Sequence, residues 1–292
     1  MRRFTAIVKA TALEILSEPL SLLLLSAALS LTVFAPAFHY HQFGEPTRMA
    51  RDAGVSAIFL GGFVFAATAA VRTLRREIES GTASAALSHP LSRAQFFGGK
   101  CAGVVLAVLA FAVTVGAVTL TMVKGAEIGG ELAERNGDVA RIWGPSYALG
   151  IAAIVLPYLV GAGLNRFARC RFALTAFLTA LAVAVAGLAY RFDGALAWRY
   201  LPVLILAAAP TFVLALAAAA AAVRLKVNGA ALVSAALVLA FLPVAGNYSQ
   251  PEALARGGSL DGGYLLAALS ALLPAAVAFL GIGGELLKER DL

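Results

Sequence analysis

The apolar runs of this 292-residue chain contain no carboxylate: all 16 Asp and Glu residues fall between those runs or in the tails. A charge at the bilayer centre costs at least about 2.5–3.5 kcal/mol, so chains keep one there chiefly for ion pathways or proton relays. Their absence argues against a carrier or pump that works through an embedded carboxylate. Sodium coupling through backbone carbonyls at broken helices stays open. Cysteine is equally scarce. Cys101 and Cys170 both sit near run ends on the more basic side, where a reducing compartment disfavours a disulfide, and small apolar packing is their expected role.

Energy-converting and catalytic motifs are also missing. The nearest approach to a phosphate-binding loop, Gly98-Gly99-Lys100-Cys101, has Ala94 where the first glycine belongs and no hydroxyl after the lysine. No His-Glu-x-x-His, Cys-x-x-Cys or Gly-x-Ser-x-Gly occurs. His39-Tyr40-His41, with only Glu45 nearby, is too sparse for a Zn or Cu site and suits an interfacial span end. A membrane enzyme would have to draw its acid or base from such loop histidines. If the protein does work, the energy comes from another chain.

What is present is hydrocarbon. The chain is 61% hydrophobic and 13% charged, with a mean hydropathy of +0.86, against about 25% charged for a soluble domain. Eight runs are each long enough to cross a hydrocarbon core of about 30 Å as a helix. They are Pro19–Phe38, Val55–Val71, Phe97–Met122, Ser146–Leu164, Phe172–Tyr190, Tyr200–Val223, Ala230–Ala245 and Tyr264–Ile282. The first 18 residues, with Arg2, Arg3, Lys9, Glu14 and Glu18, do not read as a cleavable signal.

Basic residues divide unequally between the two sides. Arg2, Arg3, Lys9, Arg72, Arg75, Arg76, Arg93, Lys100, Arg166, Arg169, Arg171, Arg224, Lys226, Lys288 and Arg290 share one side; Arg48, Arg51, Lys124, Arg135, Arg141, Arg191, Arg199 and Arg256 share the other. The bias makes the first side cytoplasmic, with both termini on it. Topology therefore accounts for the net charge of +7, and nucleic-acid binding is not expected.

The expected fold is an all-α integral membrane bundle of about eight spans. Residues 1–18 form a cytoplasmic amphipathic segment, residues 19–282 the membrane domain and residues 283–292 a cytoplasmic tail. Within the first segment, Arg3–Ser17 is either an interfacial amphipathic helix or an early extension of the first span. Val123–Pro145 is either a short lid helix or a solvated connector, and Asn247–Gly263 has the composition of a re-entrant turn. Gly61, Gly62, Gly103, Gly116, Gly150, Gly161 and Gly163 permit close helix approach. Pro157, Pro202, Pro210, Pro243 and Pro274 are candidate kinks.

The one long polar segment on the basic side is Arg72–Lys100. Leu74–Ser88 is expected as a short helix along the membrane, with Arg72, Arg75 and Arg76 at the headgroups and Glu77 and Glu79 facing outward. Gly81-Thr82 bends the chain, His89-Pro90 stops the helix, and Ser92 caps the next one. Here Glu77, Glu79, Gly81, Thr82, Leu87, Ser88, Pro90, Ser92, Arg93, Phe96, Gly99 and Lys100 follow the pattern E-x-E-x-G-T, then L-S-x-P-x-S-R, F and G-K. At these residues the chain resembles the permeases of the ABC-2 family of ABC transporters, and the basic N-terminal helix is similar to that family's connecting helix.

The resemblance implies a transport subunit that is not itself an enzyme, in a prokaryotic plasma membrane. It implies a six-span core, so eight runs mean either two additions or a re-entrant region. ATP and Mg would sit on a partner ATPase, with no cofactor or metal in this chain. The partners implied are that ATPase, a second permease copy or a homologous permease, and membrane lipid. Leu74–Ser88 would be the coupling helix, with Arg76, Glu77, Glu79, Gly81, Thr82, Ser88, Pro90 and Arg93 at the contact. Export is implied over import, and the uncharged interior suits an apolar or amphipathic substrate. The competing expectation is an ATPase-independent secondary transporter or channel.

Overall fold

The computed structural model describes residues 2–37, 46–80, 92–136, 139–190, 193–225 and 260–289, with 229, 233 and 236 as isolated positions. Every regular element among the described residues is helical. In chain order these are α1 (Arg2–Leu16), α2 (Pro19–Phe34) with a 3-10 turn (Ala35–Ala37), α3 (Pro46–Ser56), a π-helical segment (Ala57–Gly61) and α4 (Gly62–Glu79). Then come α5 (Arg93–Asn136), α6 (Val139–Ala168), α7 (Phe172–Tyr190), α8 (Gly194–Arg224) and α9 (Gly262–Lys288).

Six stretches are long and apolar enough to cross a bilayer: Thr47–Glu79, Arg93–Ile128, Gly144–Ala168, Phe172–Tyr190, Ala197–Arg224 and Gly262–Lys288. The α1–α2 pair, bent by 66°, makes a seventh if counted as one span. The protein is a multi-pass helical membrane protein. Seven of the eight expected runs fall on these helices, and Ala230–Ala245, apart from the isolated positions 233 and 236, lies outside the described residues. α8 ends at the basic end of the bundle and α9 begins toward the other, where Leu260 packs near Val203 and Leu206.

α1 is a helix of its own, turned aside from α2 at Ser17-Glu18, not a straight extension of the first span. Pro19 starts α2 at a position where its missing N–H costs nothing. Ser21 Oγ reaches back to donate at 2.7 Å to the carbonyl of Ile15, which also accepts from Glu18 N–H at 3.2 Å, fixing the corner. Thr11, Ala12, Ile15 and Leu16 form the buried stripe of α1, spaced as a helix face requires. That stripe lies on the start of α5. A Cβ at Gly103 would come within 2.5 Å of Thr11 Cβ and 2.9 Å of the Val8 carbonyl, so only glycine admits the approach.

α5 and α8 form the centre of the bundle. Phe65 of α4 stacks on Phe111 of α5 at 4.9 Å between centroids and lies 6.3 Å from Phe177 of α7, all three buried. Leucine gains little by leaving lipid tails for another helix, so close packing holds such bundles together. The π-segment belongs to this packing. A Cβ on neighbouring Gly62 would stand 2.9 Å from Thr211 Cγ2 of α8, and one on Gly54 would overlap Thr119 of α5 at 2.1 Å. Gly54 and Gly283, the latter pressed on Phe97, are close approaches the sequence alone did not single out. Gly163 faces open space.

Two boundaries differ from expectation. α5 runs unbroken to Asn136 and α6 starts at Val139, so Val123–Pro145 continues both spans and is no separate lid. At 1.5 Å per residue α5 is about 66 Å long, roughly twice a hydrocarbon core. At that far end Lys124 pairs with Asp193 at 2.5 Å and Arg199 with Glu127 at 3.9 Å, tying α5 to α8. Asp193 also caps α8, accepting from Ala195 N–H at 3.0 Å. The second difference lies at the basic end. Residues 74–79 continue the span helix α4 and do not begin a new helix along the membrane.

Candidate functional site

Charges at the basic end gather where α4 stops and α5 starts. α4 ends at Glu79, and Ser80 caps it with its N–H donating to Arg76 O at 2.9 Å. α5 begins with a reciprocal cap. Gln95 N–H donates to Ser92 Oγ at 3.1 Å, and Ser92 N–H to Gln95 Oε1 at 3.4 Å. This is the capping box, so Ser92 has the capping role expected of it. Gly81, Thr82, Ser88 and Pro90, and with them the turn of the expected coupling helix, lie outside the described residues, as do His39 and His41.

The described members of the expected contact set are brought together, in roles that look inward as well as outward. Glu77 does not face outward. It accepts from Lys100 Nζ, whose side chain is only 6% exposed, and so joins the last turn of α4 to the first turns of α5. Lys100 also lies 5.9 Å from the Phe96 ring centroid, near the reach of a cation–π contact. Breaking a buried pair by removing one partner costs about 3–5 kcal/mol, because the other charge is left without a counter-ion. Glu77 is therefore a structural clasp.

Glu79 is different. It pairs with Arg75 at 2.5 Å across one helical turn and keeps its side chain about half exposed. Arg76 is the most exposed of the set, 3.9 Å from Glu14 of α1, and Arg72 stands 3.9 Å from Glu18. The Arg72–Glu18 and Arg76–Glu14 pairs, partly exposed, are each worth about 1 kcal/mol or less, yet together they hold α1 and its corner with α2 against α4. Burial pushes the Glu18 carboxyl above the usual carboxylate range; Arg72 opposes the shift, Glu14 adds to it and Arg76 again opposes it. The arginines expected at lipid headgroups are thus matched by carboxylates of the same chain.

Arg93 does not point into solvent alone. Its Nη1 donates to the carbonyls of Lys288 at 2.7 Å and Leu287 at 3.3 Å. A cation on the orphan carbonyls of a helix end is favoured by both hydrogen bonding and the helix dipole, so Arg93 docks the C-terminus of α9 onto the start of α5. Glu289, just beyond, pairs with Arg224 at the end of α8. The result is one connected surface in which α1, α4, α5, α8 and α9 are linked by charge. Spacing in the sequence could not show Glu77–Lys100 or Arg93–Lys288, since each pairing depends on how helices meet.

One further feature can hold something. An apolar cleft of about 230 Å³ opens between α4, α8 and α9, lined by Phe63, Pro210, Val213, Leu214, Ala217, Leu272, Ala275 and Phe279. Among the described residues no group of three or more His, Cys, Asp or Glu side chains is placed to hold a metal ion. Comparison with protein-family models, with curated proteins and with solved structures finds no match.

Proposed function

We propose that this chain is the membrane-spanning permease subunit of an ABC transporter, exporting its substrate across a prokaryotic plasma membrane on ATP hydrolysed by a separate subunit. The observation that carries this reading is the α4–α5 clasp beside the Glu77–Lys100 motif residues. A push on the exposed tip formed by Arg76 and Glu79 would pass through Glu77–Lys100 into α5. It would reach α1 through Glu14 and Glu18, and α9 through Arg93. A lever must be stiff, and this tip is tied to its neighbours by charge. Both termini lie on the ATPase side in this reading, the permease works as a pair of copies or with a homologue, and α1 lies along the interface. The apolar cleft suits an apolar or amphipathic substrate.

The test separates contact from scaffold. Arg76→Glu with Glu79→Gln changes two exposed side chains and leaves the mostly buried Arg75 a neutral acceptor in place of its carboxylate. In complex reconstituted with its ATPase, this variant should lose about tenfold or more of the permease-stimulated ATP hydrolysis, the scale of an interface hot spot, while its melting temperature stays near wild type. Undiminished stimulation would count against the docking surface. One feature favours a second reading, an ATPase-independent transporter. The π-segment Ala57–Gly61 lies inside a span, and such segments recur at functional sites. Purification of an active transporter with no ATPase attached would select that reading.

A further inference from the structure

The turn between α6 and α7 carries the other arginine cluster of the basic end, Arg166, Arg169 and Arg171, all exposed. It differs from the α4–α5 hairpin in having no carboxylate. No ion pair among the described residues involves Arg166 or Arg169, and Arg171 reaches only Ser17 Oγ at 3.5 Å. Glu14 of the adjoining α1 and Glu18 at its corner with α2 are already engaged by Arg76 and Arg72.

The turn is built tightly. Arg169 has φ 54°, in the left-handed region that glycine normally takes. Cys170 N–H donates to Leu164 O at 3.4 Å, and Asn165 Nδ2 donates to Cys170 O at 2.8 Å. The strained residue lets the chain pass from α6 to α7 in three residues, which keeps three arginines within six positions at one end of the bundle. Strain of this kind persists where the surroundings hold it and recurs at binding sites.

Beneath the tip the surface is apolar. Leu156, Val160, Leu164 and Phe167 fall on one face of α6, and all are exposed, Phe167 by 85%. An apolar strip leads along α6 to Phe167 beside Arg166, with Arg169 and Arg171 just beyond in the chain. Arg groups just beyond the apolar part of a span attract anionic lipid headgroups. We infer that the α6–α7 turn is a binding site for an anionic phospholipid, its phosphate held by Arg166, Arg169 and Arg171 and its acyl chain along Leu156–Phe167. The inference rests on the multi-pass membrane architecture and not on the ATPase partner, so either can fail without the other.

The test uses the full-length protein in detergent, titrated with dioleoylphosphatidylglycerol and read by native mass spectrometry. R166Q/R169Q/R171Q should bind the lipid about tenfold or more weakly, since each cation near an anionic surface contributes severalfold. R166K/R169K/R171K should retain most of the binding, and R72Q/R76Q should match wild type. Arg169→Gly relaxes the backbone while removing a charge, so it should raise the melting temperature yet bind lipid severalfold more weakly. Equal binding by the triple glutamine variant or by Arg169→Gly would overturn the site, as would equal wild-type affinity for dioleoylphosphatidylcholine. Displacement of the lipid by millimolar inorganic phosphate would reassign the turn to a free anion. Loss of a protein partner with lipid binding intact would reassign it to that partner.

Discussion

Two arginine-rich turns lie at the same end of the bundle and are used in opposite ways. The α4–α5 hairpin matches its cations with its own or neighbouring carboxylates and carbonyls: Arg72 with Glu18, Arg75 with Glu79, Arg76 with Glu14, Lys100 with Glu77, and Arg93 with the end of α9. The α6–α7 turn leaves its arginines facing outward. The spans these turns join differ in burial too: those of α4 and α5 are 56% and 67% buried, whereas α6 and α7 are 22% and 33% buried. Charge that holds a fold together must be satisfied inside it, because a buried ion without a partner costs several kcal/mol. Charge meant for something else is left without an internal mate.

The largest expected effect breaks the first turn. Lys100→Ala should lower stability by about 3–5 kcal/mol by stranding Glu77, while Arg166→Gln should stay within about 0.5 kcal/mol, as surface substitutions do. Both are read by thermal unfolding of the detergent-solubilised protein. A double Glu77→Met and Lys100→Met chain should recover most of the loss, because exchanging a buried pair for apolar groups is close to neutral.

A smaller effect sharpens the packing side of the comparison. Gly103→Leu forces a side chain into Thr11 and the Val8 carbonyl and should cost about 1–3 kcal/mol. Gly163→Ala, on the open face of α6, should gain up to about 1 kcal/mol through helix propensity. If both substitutions proved equal, the tight seam between α1 and α5 would be wrong.

The smallest effect is in pH. Glu18 is held above the usual range by burial, so the folded chain keeps its proton more tightly than the unfolded chain does. Its share of stability therefore rises as pH falls from neutrality through the raised folded value, and it is complete below the ordinary value of 4.5. Glu18→Gln should flatten that limb of the stability profile. A profile with the same slope would show that Glu18 titrates as if exposed.

Much of the architecture was legible in the linear chain. Apolar length is a direct physical requirement of crossing hydrocarbon, so Phe172–Tyr190 was found to the residue and the neighbouring spans to within a few. The Ser92 cap was legible too, because its partner Gln95 is three residues away. The roles of Glu77, Lys100 and Arg93 were not. In sequence Glu77 and Glu79 look alike, two carboxylates at the end of a helix. In space one turns inward to α5 and the other outward to solvent.

What composition and order determined on their own is that this is a multi-pass helical membrane protein whose apolar runs hold no carboxylate, since those properties follow from the chemistry of each residue against lipid. Only the tertiary structure decided which charges are fasteners and which are left available. That distinction is a matter of which helices touch, and contact between residues 23 or 195 positions apart is settled by packing and not by local pattern.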